Sequence, residues 1–261
     1  MILDEMNNIA AAAELISKAK KVVAFTGAGV STESGIPDFR SPGGIWEKYQ
    51  PVYFQDFLAS EEARKQYWLR SRVTYPVLRD ARPNPTHLAL AELEKIGKLD
   101  CIVTQNIDRL HHKAGSSAEK VIEIHGTSAF VNCLKCHESY SRDDIQALLE
   151  EKEEIIAPVC KSCGGLLKEA TISFGQAMPA KEMAEAEYRA QSCDLMLSLG
   201  SSLVVYPAAY MPQYAQGAGA RLIIINMAPT PMDHAADLVF HSKTGEILPK
   251  IVEEVVKMIG G

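Results

Sequence analysis

The sequence predicts a doubly wound α/β fold on a parallel sheet, with a second, smaller unit inserted into it. Five apolar runs typical of buried strands alternate with four helical patterns. The strand-like runs cover residues 21–27, 100–106, 121–126, 194–202 and 221–227, and each ends in a turn containing Gly, Asn or Ser. Short apolar strands separated by helices indicate a parallel sheet that is covered on both faces.

The helical patterns cover residues 2–20, 85–97, 180–191 and 244–260. The first has acidic residues early and no basic stretch before its apolar run, so it indicates an amphipathic helix rather than a signal peptide. The chain has six cysteines. Without a signal peptide, these indicate thiol or metal chemistry in a reducing compartment rather than a disulfide framework. We therefore expect a cytoplasmic location.

The composition limits the classes of partner. Of the 261 residues, 47% are apolar and 23% are charged, which is ordinary for a globular protein large enough for a sizeable core. The net charge is −6, from 27 basic and 33 acidic residues, whereas nucleic-acid binders usually show a basic excess. No apolar run reaches the roughly 18 residues that a membrane helix needs. We expect neither a nucleic-acid nor a membrane partner.

Four cysteines form two C-x₂-C pairs, Cys133 with Cys136 and Cys160 with Cys163. Each pair can offer two thiolates to one tetrahedral ion, as structural zinc prefers. Bound zinc contributes on the order of 10 kcal/mol to the folding of a small domain. Four thiolates close the coordination sphere, so we expect a structural and not a catalytic metal. The alternative is two pairs of incidental or redox-active cysteines.

Polar residues follow every strand-like run. They are Gln105, Asn106 and Asp108 after the second, His125 after the third, Gly200, Ser201 and Ser202 after the fourth, and Asn226 after the fifth. In a doubly wound sheet these positions converge on one crevice with the turn at Gly27 and Gly29, whose backbone can approach a pyrophosphate. The pattern favours a dinucleotide-sized ligand.

The glycine turn departs from the hydride-transfer fingerprint. Thr32 stands where the third glycine is expected, and a Pro/Gly-rich loop replaces the second strand with its acidic residue. The cofactor is therefore expected to serve another chemistry. We predict that residues 34–46 form a loop that lies over the bound cofactor and is ordered by it.

His125 is the best candidate for a general base, because imidazole is readily poised near neutral pH and this histidine precedes Gly126 at a strand end. Its rivals are His87, His111 and His112. Any single histidine is more often structural or solvated than catalytic.

At this point the motifs match a family. The chain resembles the sirtuins, the NAD-dependent protein deacylases, of the bacterial and archaeal type with some features of the class II and III branches. Besides the cysteine pairs, the match rests on GAGVSTESGIPDFRS (27–41), TQNID (104–108), HG (125–126), FG (174–175), GSSLVVYPA (200–208) and IN (225–226).

The resemblance implies three domain segments: a Rossmann-like NAD-binding domain in 1–36, 81–128 and 171–261, a cofactor-binding loop and helical insertion in 37–80, and a zinc-binding insertion in 129–170. It implies that NAD and structural Zn²⁺ bind, and that lysine loses its acyl group to give nicotinamide, O-acyl-ADP-ribose and free lysine. The implied catalytic residues are His125, Asn106 and Asp108. The implied cofactor contacts are Gly27, Ala28, Gly29, Thr32, Pro37, Asp38, Phe39, Arg40, Trp46, Gln105, Asn106, Asp108, Gly200, Ser201, Ser202 and Asn226.

The resemblance also implies that the substrate peptide pairs as a strand between Phe174-Gly175 and Leu203-Val204-Val205. Tyr67 and Arg70 share a helix face and resemble the pair that reads acidic acyl groups in some branches. The alternative is that Tyr67 belongs to the core and Arg70 to the surface. The acyl group is thus acetyl, or a longer or acidic one.

Two other functions stay open at this level. The same fold could transfer ADP-ribose to a protein or to water. A third hypothesis is a non-enzymatic zinc module that binds a partner or nucleic acid and uses NAD only as a structural ligand. The net negative charge and the set Asn106, Asp108 and His125 weigh against it.

Overall fold

The computed structural model describes residues 2–38 and 50–260, and its centre is a six-stranded parallel sheet. The strands of the described chain are β1 (Val22–Thr26), β2 (Leu99–Thr104), β3 (Val121–Glu123), β4 (Gly126–Cys133), β5 (Ser139–Ser141), β6 (Leu167–Thr171), β7 (Leu195–Leu199), β8 (Arg221–Ile225) and β9 (Leu238–Phe240). The large sheet has the order β3-β2-β1-β7-β8-β9, and all its neighbours are parallel. The order reverses between β1 and β7, which is the switch point where such sheets bind ligands.

Helices cover both faces of this sheet. The α-helices are α1 (Ile2–Lys18), α2 (Phe54–Ala59), α3 (Glu61–Asp80), α4 (Pro85–Lys95), α5 (Leu110–Lys113), α6 (Arg142–Glu150), α7 (Ala180–Ser192), α8 (Tyr210–Gly217) and α9 (Thr244–Gly260). On one face α1, α4 and α9 enclose a core that includes Ile16, Leu90 and Ile251. On the other face α7 and α8 pack through Ala186 and Met211. The predicted doubly wound α/β fold is confirmed.

A second sheet of three antiparallel strands, β5-β4-β6, lies in the cysteine-rich segment. Its core contains Val131 and Leu167 together with Phe57 and Trp68 from α2 and α3. The two segments that interrupt the sheet pattern of the sequence therefore share one hydrophobic core.

The small sheet and β9 are absent from the strands that the sequence predicts. β9 has three residues, and β4 mixes buried and half-buried positions without a clean alternation. Short, partly exposed strands lack the unbroken apolar run that marks the buried parallel strands in the sequence. Among the described residues, no helix is long and apolar enough to cross a bilayer.

Candidate active site

The glycine turn after β1 touches the turn after β7 at the switch point of the sheet. Gly29 N donates to Gly200 O over 2.9 Å. A Cβ on Gly27 would lie 2.7 Å from the same carbonyl oxygen, closer than such atoms approach. Gly200 has a φ of +58°, in the left-handed region that glycine adopts readily. The close approach of the two turns therefore requires glycine.

A buried polar network fills the space beside these turns. Asn106 Nδ2 donates to Gly27 O over 3.0 Å and to Ser31 Oγ over 3.1 Å. Ser31 Oγ donates in turn to Asp108 Oδ2 over 2.7 Å. Burial raises the pKa of the Asp108 carboxyl group, against hydrogen bonds from Leu110 N and Ser31. The network fixes two predicted catalytic side chains against the glycine turn.

Ser31 is a member of this network that the sequence analysis missed. Its side chain is buried, and its hydroxyl group links Asn106 to Asp108. The available signal was a small polar residue directly after the glycine turn, in the stretch GAGVS.

His125 lies in the turn between β3 and β4, and its neighbour Gln105 defines its protonation. The Nδ1 atom of His125 is 3.0 Å from the carbonyl oxygen of Gln105. A carbonyl oxygen only accepts, so Nδ1 carries the hydrogen and Nε2 keeps its lone pair. Burial lowers the pKa of His125, although the hydrogen bond to Gln105 opposes this. His125 is thus a neutral base at neutral pH, while Gln105 Nε2 donates to Ser201 Oγ over 2.9 Å.

Two of the three rival histidines, His87 and His111, lie inside the protein, whereas His112 is half-buried on α5. His87 and His111 are buried, with ring centroids 4.9 Å apart. Burial lowers the pKa of His87 to about 4 and that of His111 well below its ordinary value. His111 Nε2 is 3.1 Å from Thr26 Oγ1 at the end of β1. The enclosed imidazoles of His87 and His111 cannot reach a substrate, so the geometry favours His125 over these two as the base.

The buried His87 makes stability depend on pH. Its pKa is about 4 in the folded protein and about 6.5 in the unfolded chain, so below pH 6.5 the unfolded chain binds more protons. We expect the free energy of unfolding to fall by about 2 kcal/mol between pH 7.5 and pH 5 from this group alone. Urea denaturation at both pH values measures the loss. A His87→Gln variant should lose less stability over this range, and parallel pH profiles for the two proteins would contradict the assignment.

The remaining predicted cofactor residues follow β1, β7 and β8 or lie outside the described residues. Ala28 and Thr32 lie in two short 3₁₀ helices after the glycine turn, and Thr32 Oγ1 donates to Gly29 O over 2.9 Å. Ser202 is exposed, and Asn226 follows β8. Pro37 and Asp38 close the first described segment, whereas Phe39, Arg40 and Trp46, with most of the predicted loop, lie outside the described residues.

The two segments predicted to hold a peptide differ in exposure. Phe174 is 40% exposed and Val204 is 47% exposed, whereas Leu203 is buried in the core under α7 and α8. Val205 is half-buried. The side chain of Leu203 is therefore closed off from a peptide, and its part in peptide binding stays a prediction.

The four cysteines of the two pairs converge at one end of the small sheet. Their sulfur atoms all lie within 4.8 Å of one another, with 3.5 Å between Cys133 and Cys163 and 3.6 Å between Cys136 and Cys160. Sulfurs placed tetrahedrally about 2.3 Å from zinc are about 3.8 Å apart. A Cβ on Gly165 would lie 2.9 Å from the Cys133 sulfur, so glycine leaves room for the cluster. The donor set fits structural zinc.

Tyr67 lies in a charged cluster between α3 and the small sheet. Its phenol donates to Glu169 Oε2 over 3.0 Å, while Ser71 Oγ and Arg142 Nε donate to Glu169 Oε1 over 2.6 and 3.0 Å. Burial by itself raises the pKa of Glu169, but the Arg142 charge and the three hydrogen bonds outweigh it and lower the pKa. The Arg70 guanidinium carbon is 5.4 Å from the centroid of the Tyr67 ring. The assignment of Tyr67 and Arg70 to the acyl group stays a prediction.

The comparisons with known proteins agree on one family. Residues 27–207 match the Sir2 family model. An "NAD-dependent protein deacetylase 1" of Bradyrhizobium diazoefficiens is 47% identical over 239 residues, or 92% of this chain and 93% of the relative. An "NAD-dependent protein deacylase 2" of Archaeoglobus fulgidus is 42% identical over 253 residues, or 97% and 98%.

Solved structures similar to this chain belong to the same family. A structure from a study of the mechanism and regulation of Sir2 enzymes has a TM-score of 0.86 and 41% identity, covering 97% of this chain and 99% of its own. A Sir2 protein with a deacetylated p53 peptide and 3′-O-acetyl ADP ribose has a TM-score of 0.85 and 37% identity, covering 93% and 96%. The predicted resemblance is confirmed: the chain belongs to the Sir2 family.

Proposed function

We propose that the protein is an NAD-dependent protein-lysine deacylase that moves the acyl group from lysine to ADP-ribose. The products are nicotinamide, O-acyl-ADP-ribose and free lysine. The observation that carries the proposal is the His125 tautomer, which leaves an Nε2 lone pair beside the crevice at the switch point. Named relatives of this chain are NAD-dependent deacetylases and deacylases.

The residues present fit a dinucleotide. Gly27 and Gly29 pack so closely against Gly200 that a Cβ on either would collide with it. Glycines in this turn also let the backbone approach a pyrophosphate. Gly200, Ser201, Ser202 and Asn226 line the neighbouring strand ends and would hold the adenosine half. Gln105, Asn106 and Asp108 would hold the nicotinamide and ribose half. Asp108 and Asn106 are already fixed through Ser31, so little ordering is needed when NAD binds.

His125 would act as general base on a ribose hydroxyl after nicotinamide has left. Its Nδ1–H is held by Gln105, which aims the Nε2 lone pair and stabilises the imidazolium that forms when the proton arrives. Bound zinc would be held by Cys133, Cys136, Cys160 and Cys163 and would stabilise the small sheet without taking part in the reaction.

The acylated peptide would add as a strand between Phe174-Gly175 and Leu203-Val205, with the acyl end toward Tyr67 and Arg70. The shared core of residues 54–80 and the small sheet supports one small unit set against the Rossmann-like domain of 1–36, 81–128 and 171–261. Clustered thiols that bind zinc suit a reducing compartment, which supports a location in the cytoplasm.

An acetyl-lysine peptide incubated with NAD tests the proposal. We expect free lysine and nicotinamide in equal amounts, and neither without NAD. If label from NAD appears on protein and no deacylated peptide forms, the protein is instead an ADP-ribosyltransferase. If nicotinamide is released at the same rate with and without the peptide, it is an NAD hydrolase.

A further inference from the structure

The phenol of Tyr67 is already bound by a carboxylate of the protein itself. Tyr67 is 1% exposed, and its hydroxyl group donates to Glu169 Oε2 over 3.0 Å. A phenol has one hydrogen to donate. That hydrogen is therefore committed to Glu169 and is not available to a second acceptor.

Glu169 cannot easily turn away from this position. Its other oxygen accepts from Ser71 Oγ and from Arg142 Nε. Arg142 is completely buried, and its Nη2 also donates to Ser71 Oγ over 2.6 Å. Moving the carboxylate would leave a buried guanidinium without its counter-charge, which is strongly unfavourable. The carboxylate is thus a fixed part of the cluster.

The cluster lies one step along β6 from the candidate base. Glu169 is two residues before Thr171, a distance of about 7 Å in a strand. Thr171 pairs with Gly126, which follows His125. Ile172 N donates to the carbonyl oxygen of His125 over 2.9 Å. Strand β6 therefore connects the Tyr67–Glu169 pair directly to the site where the acyl group would react.

We infer that Glu169 selects against acyl groups that end in a carboxylate, so that this deacylase prefers neutral ones. The inference rests on the proposed function and on an acyl end directed toward Tyr67 and Arg70. A second carboxylate on the same phenol would lack its hydrogen and would stand within about 5 Å of a like charge. Arg70 attracts any anion, but without the phenol hydrogen it binds a carboxylate from one side only. The buried Lys168, whose Nζ atom is 5.7 Å from the centroid of the Tyr67 ring, adds a second positive charge, but it already donates to the carbonyl oxygens of Glu169 and Thr171.

A Glu169→Gln variant tests this selection. The amide oxygen can keep the bonds from Ser71 and Arg142, while the amide N–H donates to the Tyr67 oxygen and frees the phenol hydrogen. We expect the ratio of kcat/KM for a succinyl-lysine peptide to that for the matching acetyl-lysine peptide to rise at least tenfold. Asp143→Asn is the matched control, because it removes a charge that Tyr75 contacts but leaves the Tyr67–Glu169 bond in place. Its ratio should stay at the wild-type value.

Tyr67→Phe gives an independent test that does not require the Glu169 variant to fold. In the wild-type background it should change succinyl and acetyl turnover to the same extent, because the phenol hydrogen does not serve the substrate. In the Glu169→Gln background it should cancel the gain. A selective loss of succinyl turnover of tenfold or more in the single Tyr67→Phe variant would overturn the inference.

Turnover of the acetyl-lysine peptide distinguishes a failure of the Glu169 inference from a failure of the proposed function. If Glu169→Gln keeps acetyl turnover and leaves the succinyl-to-acetyl ratio of kcat/KM unchanged, the role of Glu169 is overturned and the proposed function stands. Wild-type protein that turns over neither peptide with NAD overturns the proposed function, and the inference with it.

Discussion

Replacing His125 with alanine is expected to lower NAD-dependent deacylation by about 10²- to 10⁴-fold, the range that a positioned general base contributes. The Nδ1–H bond to Gln105 leaves Nε2 as the acceptor for a ribose proton, and the lowered pKa keeps it unprotonated at neutral pH. Alanine leaves only water to take that proton. The measurement is kcat/KM for deacylated peptide, followed together with exchange of labelled nicotinamide into NAD.

Deacylation and nicotinamide exchange should respond differently to the His125→Ala substitution. Because His125 acts after nicotinamide leaves, exchange should fall much less than deacylation. His234→Ala is the matched control, since that side chain is exposed and is not among the predicted site residues. Deacylation in His125→Ala within twofold of the wild type would remove His125 from the chemistry.

Replacing Cys160 with serine is expected to abolish zinc binding and unfold the small sheet. Apparent binding energies of structural zinc are about 10–16 kcal/mol, larger than the stability of a typical domain. Cys160 belongs to the core that also contains Trp68 and Val131, so loss of the ion removes support from the packing of α3. Metal content per chain and thermal unfolding measure both effects, and a chelator should reproduce them in the wild type.

Cys193→Ser provides the control for this prediction. That thiol is also buried, but it lies in the core under α7 and α8 and outside the four-cysteine cluster. Its zinc content should equal that of the wild type. A Cys160→Ser protein that keeps one zinc per chain and the wild-type Tm would contradict the structural role of the metal.

The inner strands of the large sheet were predictable because they are buried on both faces. In β1 every residue is buried, so the strand is an unbroken apolar run that local sequence reveals. The cysteine cluster was predictable because its spacing reflects the geometry of the ion. The predicted site residues at strand ends, such as Asn106 and His125, rest on the rule that parallel strands bring their carboxyl ends to one edge, and their roles stay a prediction.

The contacts that the sequence did not predict join residues that are far apart in the chain. Ser31 binds Asp108 across 77 positions, and Glu169 binds Ser71 across 98. A single sequence contains no signal for such pairs beyond an unusual residue type, here the two charged residues Lys168 and Glu169 inside the short strand β6. Their roles follow from tertiary contacts and not from local pattern.

The nucleotide product tests the central claim most directly. Wild-type protein, NAD and a peptide with isotopically labelled acetyl-lysine should yield O-acetyl-ADP-ribose that carries the label, one for each lysine freed, when followed by mass spectrometry. Labelled free acetate formed at the start of the reaction, or ADP-ribose joined to a protein while acetyl-lysine stays intact, would contradict acyl transfer at this site.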